Sequence, residues 1–473
     1  MSKLPRIYKQ DMSGGVQAKT THNLAIRNQS AHILNGEVDS KVGAITGRKG
    51  SLVQSTVVAG QEILGLYIYR YGTTRKFLAL CSDGAGTPKN DLYVNASANF
   101  TGVWSKTLQD LENGVDGFGE NFMDKFFFVN GYTAQVWDGS TWVAVTNAPA
   151  DSNYLVVFNQ RLYAFTKKGF MWYSDVVNST GLAFTTDSWT SRGINPNEGD
   201  FIKMAVRHRG NIIIFKGESV YRFDGSSSEP EPNISIGTTS SKSIVILGNV
   251  FFFNSLGINM IGAGDPVLIS IGVQKYIEGM NSDNWPKVSG GRDKENVYFW
   301  IGDVTINDPH EFDYGKTYSN VVLKFNTNTQ VWTVYTGWDA RCWCYDKDNG
   351  NTYFGTSAGK IVKINTDYAD VDGAKSTPIN FEVIFTPEDN KYPERTKQTD
   401  KIVVTGKYNS DIQIASSFDN LKSGNLLNNG KGMVNEMTTY DELWISIKEQ
   451  YDSVPPRIDG LIIDNINLLD DNK

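Results

Sequence analysis

The stretch "DKFFFVNGYTAQVWDGSTW", residues 124–142, decides the fold. Its opening run of Phe and Val is strand-forming. Asn130-Gly131 supplies the positive φ that a short hairpin needs. A second run, "AQVW", returns, and Asp138-Gly139 turns the chain again. Strand, turn, strand and turn in so short a span describe one hairpin of an up-and-down antiparallel sheet.

The same design recurs along the chain. "RKFLALCSDGAGTPKNDLYVN" begins at Arg75, "QRLYAFTKKGFMWYS" at Gln160 and "RGNIIIFKGESVYRFDG" at Arg209. "LGNVFFFNSLGINMIGA" begins at Leu247, "DKENVYFWIGD" at Asp293 and "DNGNTYFGTSAGKIVKI" at Asp348. Successive copies start about 45 residues apart, the size of a four-stranded propeller blade. A sandwich also turns every few residues, but it shows no such superperiod. A propeller must repeat, because each blade buries its faces only against its neighbours. The expected fold is therefore all-β: a β-propeller of six or seven blades over 59–370. Hairpin turns are expected at Asn130-Gly131, Gly210-Asn211 and Gly248-Asn249.

Two regions fall outside the repeat. Residues 1–58 read as an extended N-terminal arm and docking segment. Residues 371–473 hold "INFEVIFTP", "DKIVVTGKY", "SDIQIASSF", "ELWISIKEQ" and "PRIDGLIIDNI", which alternate apolar and polar residues without the blade pattern. They predict a C-terminal antiparallel, sandwich-like β-domain. One insertion reads as a helix. "SIGVQKYIEGM", 270–280, places Val273, Tyr276, Ile277 and Met280 on one face, with Ser270 as a candidate cap. It is expected on the surface, packed on a blade edge.

Composition agrees with many short strands joined by tight turns. Aromatic residues reach 12% and Gly numbers 45, against 14 Pro. The net charge is −7, from 45 basic and 52 acidic residues, which disfavours general binding to nucleic-acid backbones. The N-terminus lacks the apolar core of a secretory signal, and no run is long enough for a membrane helix, so no membrane partner is expected. Cys81, Cys342 and Cys344 read as buried free thiols, compatible with a reducing compartment.

Chemistry-bearing patterns are sparse. His22, His32, His208 and His310 form no metal-binding spacing, and neither cofactor nor metal is expected. "DKDNG", 346–350, imitates the start of a calcium loop, but Ser357 stands where the terminal Glu belongs. It reads as a hairpin turn. "WDGSTW", 137–142, is similar to one Asp-box turn of a sialidase-type propeller, without the motif's spacing. "GVDGFGEN", 114–121, reads as a loop. There is no nucleophile elbow and no phosphate-binding loop. Loop acids leave a carboxylate pair for glycoside hydrolysis open.

The first fifty residues carry a resemblance. Asp11-Met12-Ser13-Gly14-Gly15-Val16, then Asn35-Gly36-Glu37-Val38, then Gly43, Ile45, Arg48 and Gly50 resemble the start of virion proteins of tailed phages. Here Gln17 stands where that pattern has Asn, and the Asn–Val pair is stretched to Asn35 and Val38. Further on, "GDFIKMAVRHRGNIIIFKGESVYRFDG" (199–225), "GDPVLISIGVQKYIEGMNSDNW" (264–285) and "SNVVLKFNTNTQVWTVYTGW" (319–338) are similar to blades of the tail nozzle, or packaged-DNA stabilisation, proteins of short-tailed phages. "IFTPEDNKYPERTKQTDKIVV" (384–404) sits where that family crosses into its last domain.

The resemblance implies a non-enzymatic virion part, assembled in the host bacterial cytoplasm. Identical subunits, usually six, would ring the tail axis and extend the portal–adaptor channel. They would retain packaged DNA, guide its ejection without sequence-specific binding, and dock fibres, spikes or a needle. Ser13, Gly14, Gly15 and Arg48 are then the candidate arm and assembly contacts, with Arg48 anchoring the arm by a charge-assisted hydrogen bond. The arm segment has a second reading, an irregular first blade strand that closes the ring. Two other functions stay open: another phage virion propeller (stopper, fibre or decoration protein), and a carbohydrate-binding or glycan-hydrolysing propeller.

Overall fold

The computed structural model describes residues 6–9, 11–16, 29–39, 41, 43–82, 89–95, 97, 100–112, 115–175, 189–196, 199–226, 231–234, 236–309, 311–385, 397–399, 401–407, 412–415, 427–428, 433–434, 438–440, 444–464 and 466–468. His22, His310, Gln17 and the middle of the 384–404 crossing lie outside them. Among the described residues, no helix is long and apolar enough to cross a membrane.

Seven four-stranded antiparallel blades follow one another along the chain, five as separate sheets and the last two within larger sheets. Blades 1 to 6 occupy 63–111, 118–144, 152–193, 202–234, 245–268 and 289–335. Blade 7 takes three strands from 342–364, and Ser51–Thr56 pairs on its outer side as the fourth. The first strands of blades 1 to 4 touch in order, as do those of blades 5 to 7, and the first strand of blade 7 meets Ile63–Tyr71 of blade 1. Blades 4 and 5 pack through Val206, Ile213 and Phe215 on Val250 and Phe252. The ring is closed: the fold is a seven-bladed β-propeller.

The middle strands explain why the apolar runs are continuous. In "KFFFV", Phe126 and Phe128 pack with Tyr69, Leu78 and Leu80 of blade 1. Phe127 and Val129 pack with Leu155, Leu162 and Ala164 of blade 3. In "NIIIFK", Ile212 and Ile214 face blade 3, while Ile213 and Phe215 face blade 5. Side chains still alternate across the sheet. Both faces are covered, so both alternating sets are apolar. At the seam, Tyr353 and Ile361 of blade 7 pack on Ile63, Phe77 and Ala79 of blade 1.

The turns shift by a residue from two of the expected positions. Gly131 has φ +77°, in the loop after Lys125–Val129. The blade 4 turn is Arg209-Gly210, with φ +46° and +76°, and Asn211 already pairs with His208. The blade 5 turn centres on Gly248, φ +69°, and Asn249 opens the next strand. Of the glycine run, residues 115–117 are loop, and Gly114 lies outside the described residues. Phe118–Phe122 is the innermost strand of blade 2.

The two flanking regions are interleaved. Ser30–Leu34 meets the outer strand of blade 6 at Leu34 and Val334, then pairs with Ile379–Phe385. Trp444–Tyr451 and Ile412–Ala415 follow in the same sheet. A second sheet runs Gly36–Asp39, Ala44–Gly47, Arg457–Asp464, Lys401–Lys407 and Met433–Val434, with Ile7–Lys9 also on Arg457–Asp464. Segments 30–47 and 379–464 thus build one two-sheet unit together. Its core residues Ile33, Ile45, Phe381, Val404, Ile447 and Leu461 belong to the same cluster as Phe253 and Phe299 of blades 5 and 6.

The insertion between blades 5 and 6 is a 3-10 turn, Ser270–Val273, running into a short α-helix, Gln274–Glu278. Val273, Tyr276, Ile277 and Met280 are buried on one face. Ser270 does not cap the helix; its Oγ accepts the Ile258 N–H at 3.0 Å. The helix is also less superficial than a blade-edge helix, because its buried face belongs to the core shared by propeller and two-sheet unit.

Candidate functional site

Gly15 carries φ +69°, and a Cβ there would lie 2.2 Å from Val331 Cγ1. Only glycine fits this bend against blade 6. The Gly15 carbonyl accepts the Ser30 N–H at 2.9 Å, and Val16 N–H donates to Trp332 O at 3.1 Å. Ser13 and Gly14 form the preceding turn, where the Ser13 N–H donates to Asp11 at 2.9 Å. Gly15 and Val16 lay the segment along blade 6.

Arg48 lies elsewhere in the same joint and is 1% exposed. Its Nε donates to Asn35 Oδ1 at 2.9 Å, and its two terminal nitrogens reach the Asp370 oxygens at 3.1 and 2.6 Å. The guanidinium sits 4.7 Å from the Trp338 ring. Tyr451 of the two-sheet unit donates its hydroxyl to the Arg48 carbonyl at 2.6 Å. Asn35 fills its own amide: Oδ1 also accepts Thr336 N–H at 2.9 Å, and Nδ2 donates to Asn380 O at 2.7 Å. Burial pushes the Asp370 carboxyl up, but Arg48, Ser51 and Trp338 more than offset it and hold it below its ordinary range. Beside it, Glu37 accepts from Lys324 Nζ at 2.9 Å and from the Tyr335 hydroxyl at 2.8 Å. One joint thus ties the N-terminal segment, blades 6 and 7 and the two-sheet unit.

A second polar cluster is buried behind it. Lys275 Nζ lies 3.2 Å from both Glu311 Oε2 and Asp313 Oδ1, and Tyr318 donates to Asp313 at 2.7 Å. His32 is fully buried, with Nδ1 2.5 Å from the Tyr276 hydroxyl. Burial, aided by Lys275, Lys316 and Lys448, holds His32 well below its ordinary pKa. Charges this deep are tolerated only because each is paired.

The propeller axis holds a cavity of about 630 Å³, lined by the first strands of blades 2 to 7. One end is spanned by an ion pair. Lys242, just before blade 5, pairs with Asp116, just before blade 2, at 3.2 Å, and Ser241 donates to the same carboxylate at 2.7 Å. Blades 2 and 5 are not neighbours, so this pair crosses the axis. Burial opposes the Lys242 charge, yet Asp116 keeps its pKa raised. The lining includes Glu120, Arg207, Arg292, Trp343 and Tyr345. Glu120 is its one carboxylate among the described residues, against the pair that glycoside hydrolysis uses.

The remaining motifs are structural. "DKDNG" is the hairpin turn of blade 7, with Gly350 N–H donating to Asp346 O at 2.8 Å. Its Asp346 is fully buried and pairs with Arg75 and, at 3.3 Å, with Arg70 of blade 1. "WDGSTW" is a tight turn in which Asp138 Oδ1 accepts the Ser140 and Thr141 N–H groups at 2.8 Å, lowering its pKa to about 2. Trp137 and Trp142 stack across it at 5.5 Å. Cys81, Cys342 and Cys344 meet at the blade 7–blade 1 seam as free thiols, and burial pushes Cys342 up to about 12. Sequence reading missed Asp370, Asn35 and Asp346 as partners. Only Asn35, followed by Gly36, carried a local signal.

No family model matches the chain, and no curated protein matches it. Among solved structures, it is similar to a chain described as the crystal structure of the mitotic checkpoint complex, at a TM-score of 0.43 and 10% identity, covering 67% of this chain and 95% of that one. It is also similar to the computationally designed Ika8 protein, at a TM-score of 0.38 and 8% identity, covering 67% and 99%. Neither likeness carries a function to this chain.

Proposed function

We propose that the chain is a structural subunit of a short-tailed phage virion. Several identical copies form a ring that extends the portal–adaptor channel, retains packaged DNA and docks fibres, spikes or a needle. The resemblance of residues 11–50, 199–225, 264–285 and 319–338 to tail nozzle proteins introduces this reading. The observation that carries it is the joint around Arg48. It fastens arm, propeller and two-sheet unit through one core, which suits a part that transmits force rather than one that opens for turnover.

The axial cavity supports the corollary for the DNA path. A space of about 630 Å³, spanned at one end by the Lys242–Asp116 pair, cannot pass a duplex whose major groove alone is about 12 Å wide. DNA then runs along the axis of a ring of copies. Head-to-tail contacts between identical subunits close such rings when the rotation permits. A cryo-electron reconstruction of particles containing the chain tests the reading. The expected result is a ring of copies coaxial with the DNA exit. A single copy, an off-axis site such as a fibre or capsid decoration, or no particle at all would overturn it.

A further inference from the structure

The axial cavity has features that the tail reading does not use. Its volume, about 630 Å³, falls inside the range of about 300–1,000 Å³ typical of small-molecule sites. The Lys242–Asp116 pair spans one end of it. Its walls are part apolar, with Ile246, Trp343 and Tyr345.

The arginines in it are unlike those around it. Arg70 and Arg75 are committed to Asp346 and Asp348. Arg209 donates to Asn249 at 3.0 Å. By contrast, Arg207 and Arg292 line the cavity, and neither guanidinium donates a hydrogen bond to a protein acceptor among the described residues. Arg292 is held in place over the Tyr345 ring, at 4.7 Å from its centroid. An arginine fork with no acceptor matches carboxylate and phosphate geometry. Two of them face one carboxylate, Glu120, in a chain whose net charge is −7.

We infer that the axial cavity binds a small organic anion, one with a carboxylate or phosphate group on a flat or apolar body. Arg207 and Arg292 take the anionic group, and Trp343, Tyr345 and Ile246 take the body. Glu120 tunes the site. The Glu120 side chain is open to solvent at the cavity mouth, yet desolvation by the surrounding walls raises its carboxyl to about 7, against the pull of Arg207 and Lys347. Arg292 and Tyr345 line the same cavity. An arriving anion favours the neutral carboxyl further, so binding takes up a proton and tightens as the pH falls through about 7. The inference is independent of the tail reading, since a ring subunit can hold a ligand or not.

The test is titration calorimetry on the full chain, with phenyl phosphate, benzoate and neutral benzyl alcohol as probes. At least one anion is expected to bind at about millimolar concentration or below, with the alcohol silent. The two anions separate phosphate from carboxylate preference. Arg207→Gln with Arg292→Gln should weaken binding by about tenfold or more while the unfolding midpoint holds. The single Arg207→Gln, at an exposed side chain, should show part of that loss. For benzoate, whose own charge is constant over the range, Glu120→Gln should abolish the difference in affinity between about pH 6 and about pH 8. Failure of both anions to bind, equal binding of the alcohol, or wild-type affinity in the double variant would overturn the inference.

Discussion

A guanidinium taken out of water costs several kcal/mol unless its N–H groups find acceptors. At Arg48 they find Asn35, Lys49 O and both oxygens of Asp370. Removing the charge in Arg48→Met strands a carboxylate that is only partly open to water, so the loss should be about 3 kcal/mol, read from the denaturant midpoint. Arg48→Lys should recover only part of it, because a point charge cannot bridge Asn35 and Asp370 together. Equal stability of the Met and Lys variants would count against the bidentate account. His32 gives a second, pH-dependent outcome. Its folded pKa is held well below 6.5, while the unfolded chain protonates near its ordinary value. The unfolded state therefore binds the extra proton, and stability falls as the pH drops below about 6.5, by up to about 1.4 kcal/mol per unit. His32→Asn should flatten the stability profile below that pH; an unchanged slope would show that His32 protonates in the folded chain. Arg48 was legible as an anchor from its place among glycines. Asp370 was not, because it lies 322 residues away and nothing local marks it.

At the scale of elements, the repeat was legible because covered blades need apolar residues at every position of their middle strands, as in "KFFFV" and "NIIIFK". Seven blades could not be counted from sequence for a physical reason: the fourth strand of blade 7 is Ser51–Thr56, remote from the rest of its sheet. The axial cavity was illegible too, since Glu120, Arg207 and Arg292 sit in three separate blades. A ring closed non-covalently has a seam where its first and last blades meet. Here the seam is blade 7 on blade 1, and Asp346 holds it with Arg70 and Arg75. Asp346→Ala would leave Arg70 and Arg75, both part-exposed, to Asp348 alone, so a loss of about 1–3 kcal/mol is expected. Hydrogen exchange should report it first in 63–82 and 342–364, the strands on either side. A loss spread evenly over all blades would mean that the seam is no weaker than any other interface.

At the scale of the molecule, the question is whether propeller and two-sheet unit are one folding body or two. The chain was expected to divide near residue 370, with a propeller before it and a separate β-domain after it. The pairings do not follow that line. Ile379–Phe385 and Arg457–Asp464 depend on Ser30–Leu34 and Ala44–Gly47 for an edge partner, and Ser51–Thr56 leaves the same segment to complete blade 7. Phe253, Phe299, Tyr276, Phe381 and Ile463 belong to one core cluster that spans propeller and unit. Burying apolar surface contributes about 25 cal/mol per Å², so uncovering this face would cost far more than one side chain. Separate melting would require that exposure at the first step. The full chain should therefore unfold in a single calorimetric transition, with van't Hoff and calorimetric enthalpies in agreement. A fragment spanning 59–370 lacks the outer strand of blade 7 and bares the blade 6 edge at Val334, so it should aggregate or remain open rather than close into a stable ring. A fragment starting at Ser51 restores the missing strand but still bares blade 6, and it should be intermediate. Two resolved transitions in the full chain, or a monomeric and cooperatively folded 59–370 fragment, would show that the shared core is a contact between two independent domains.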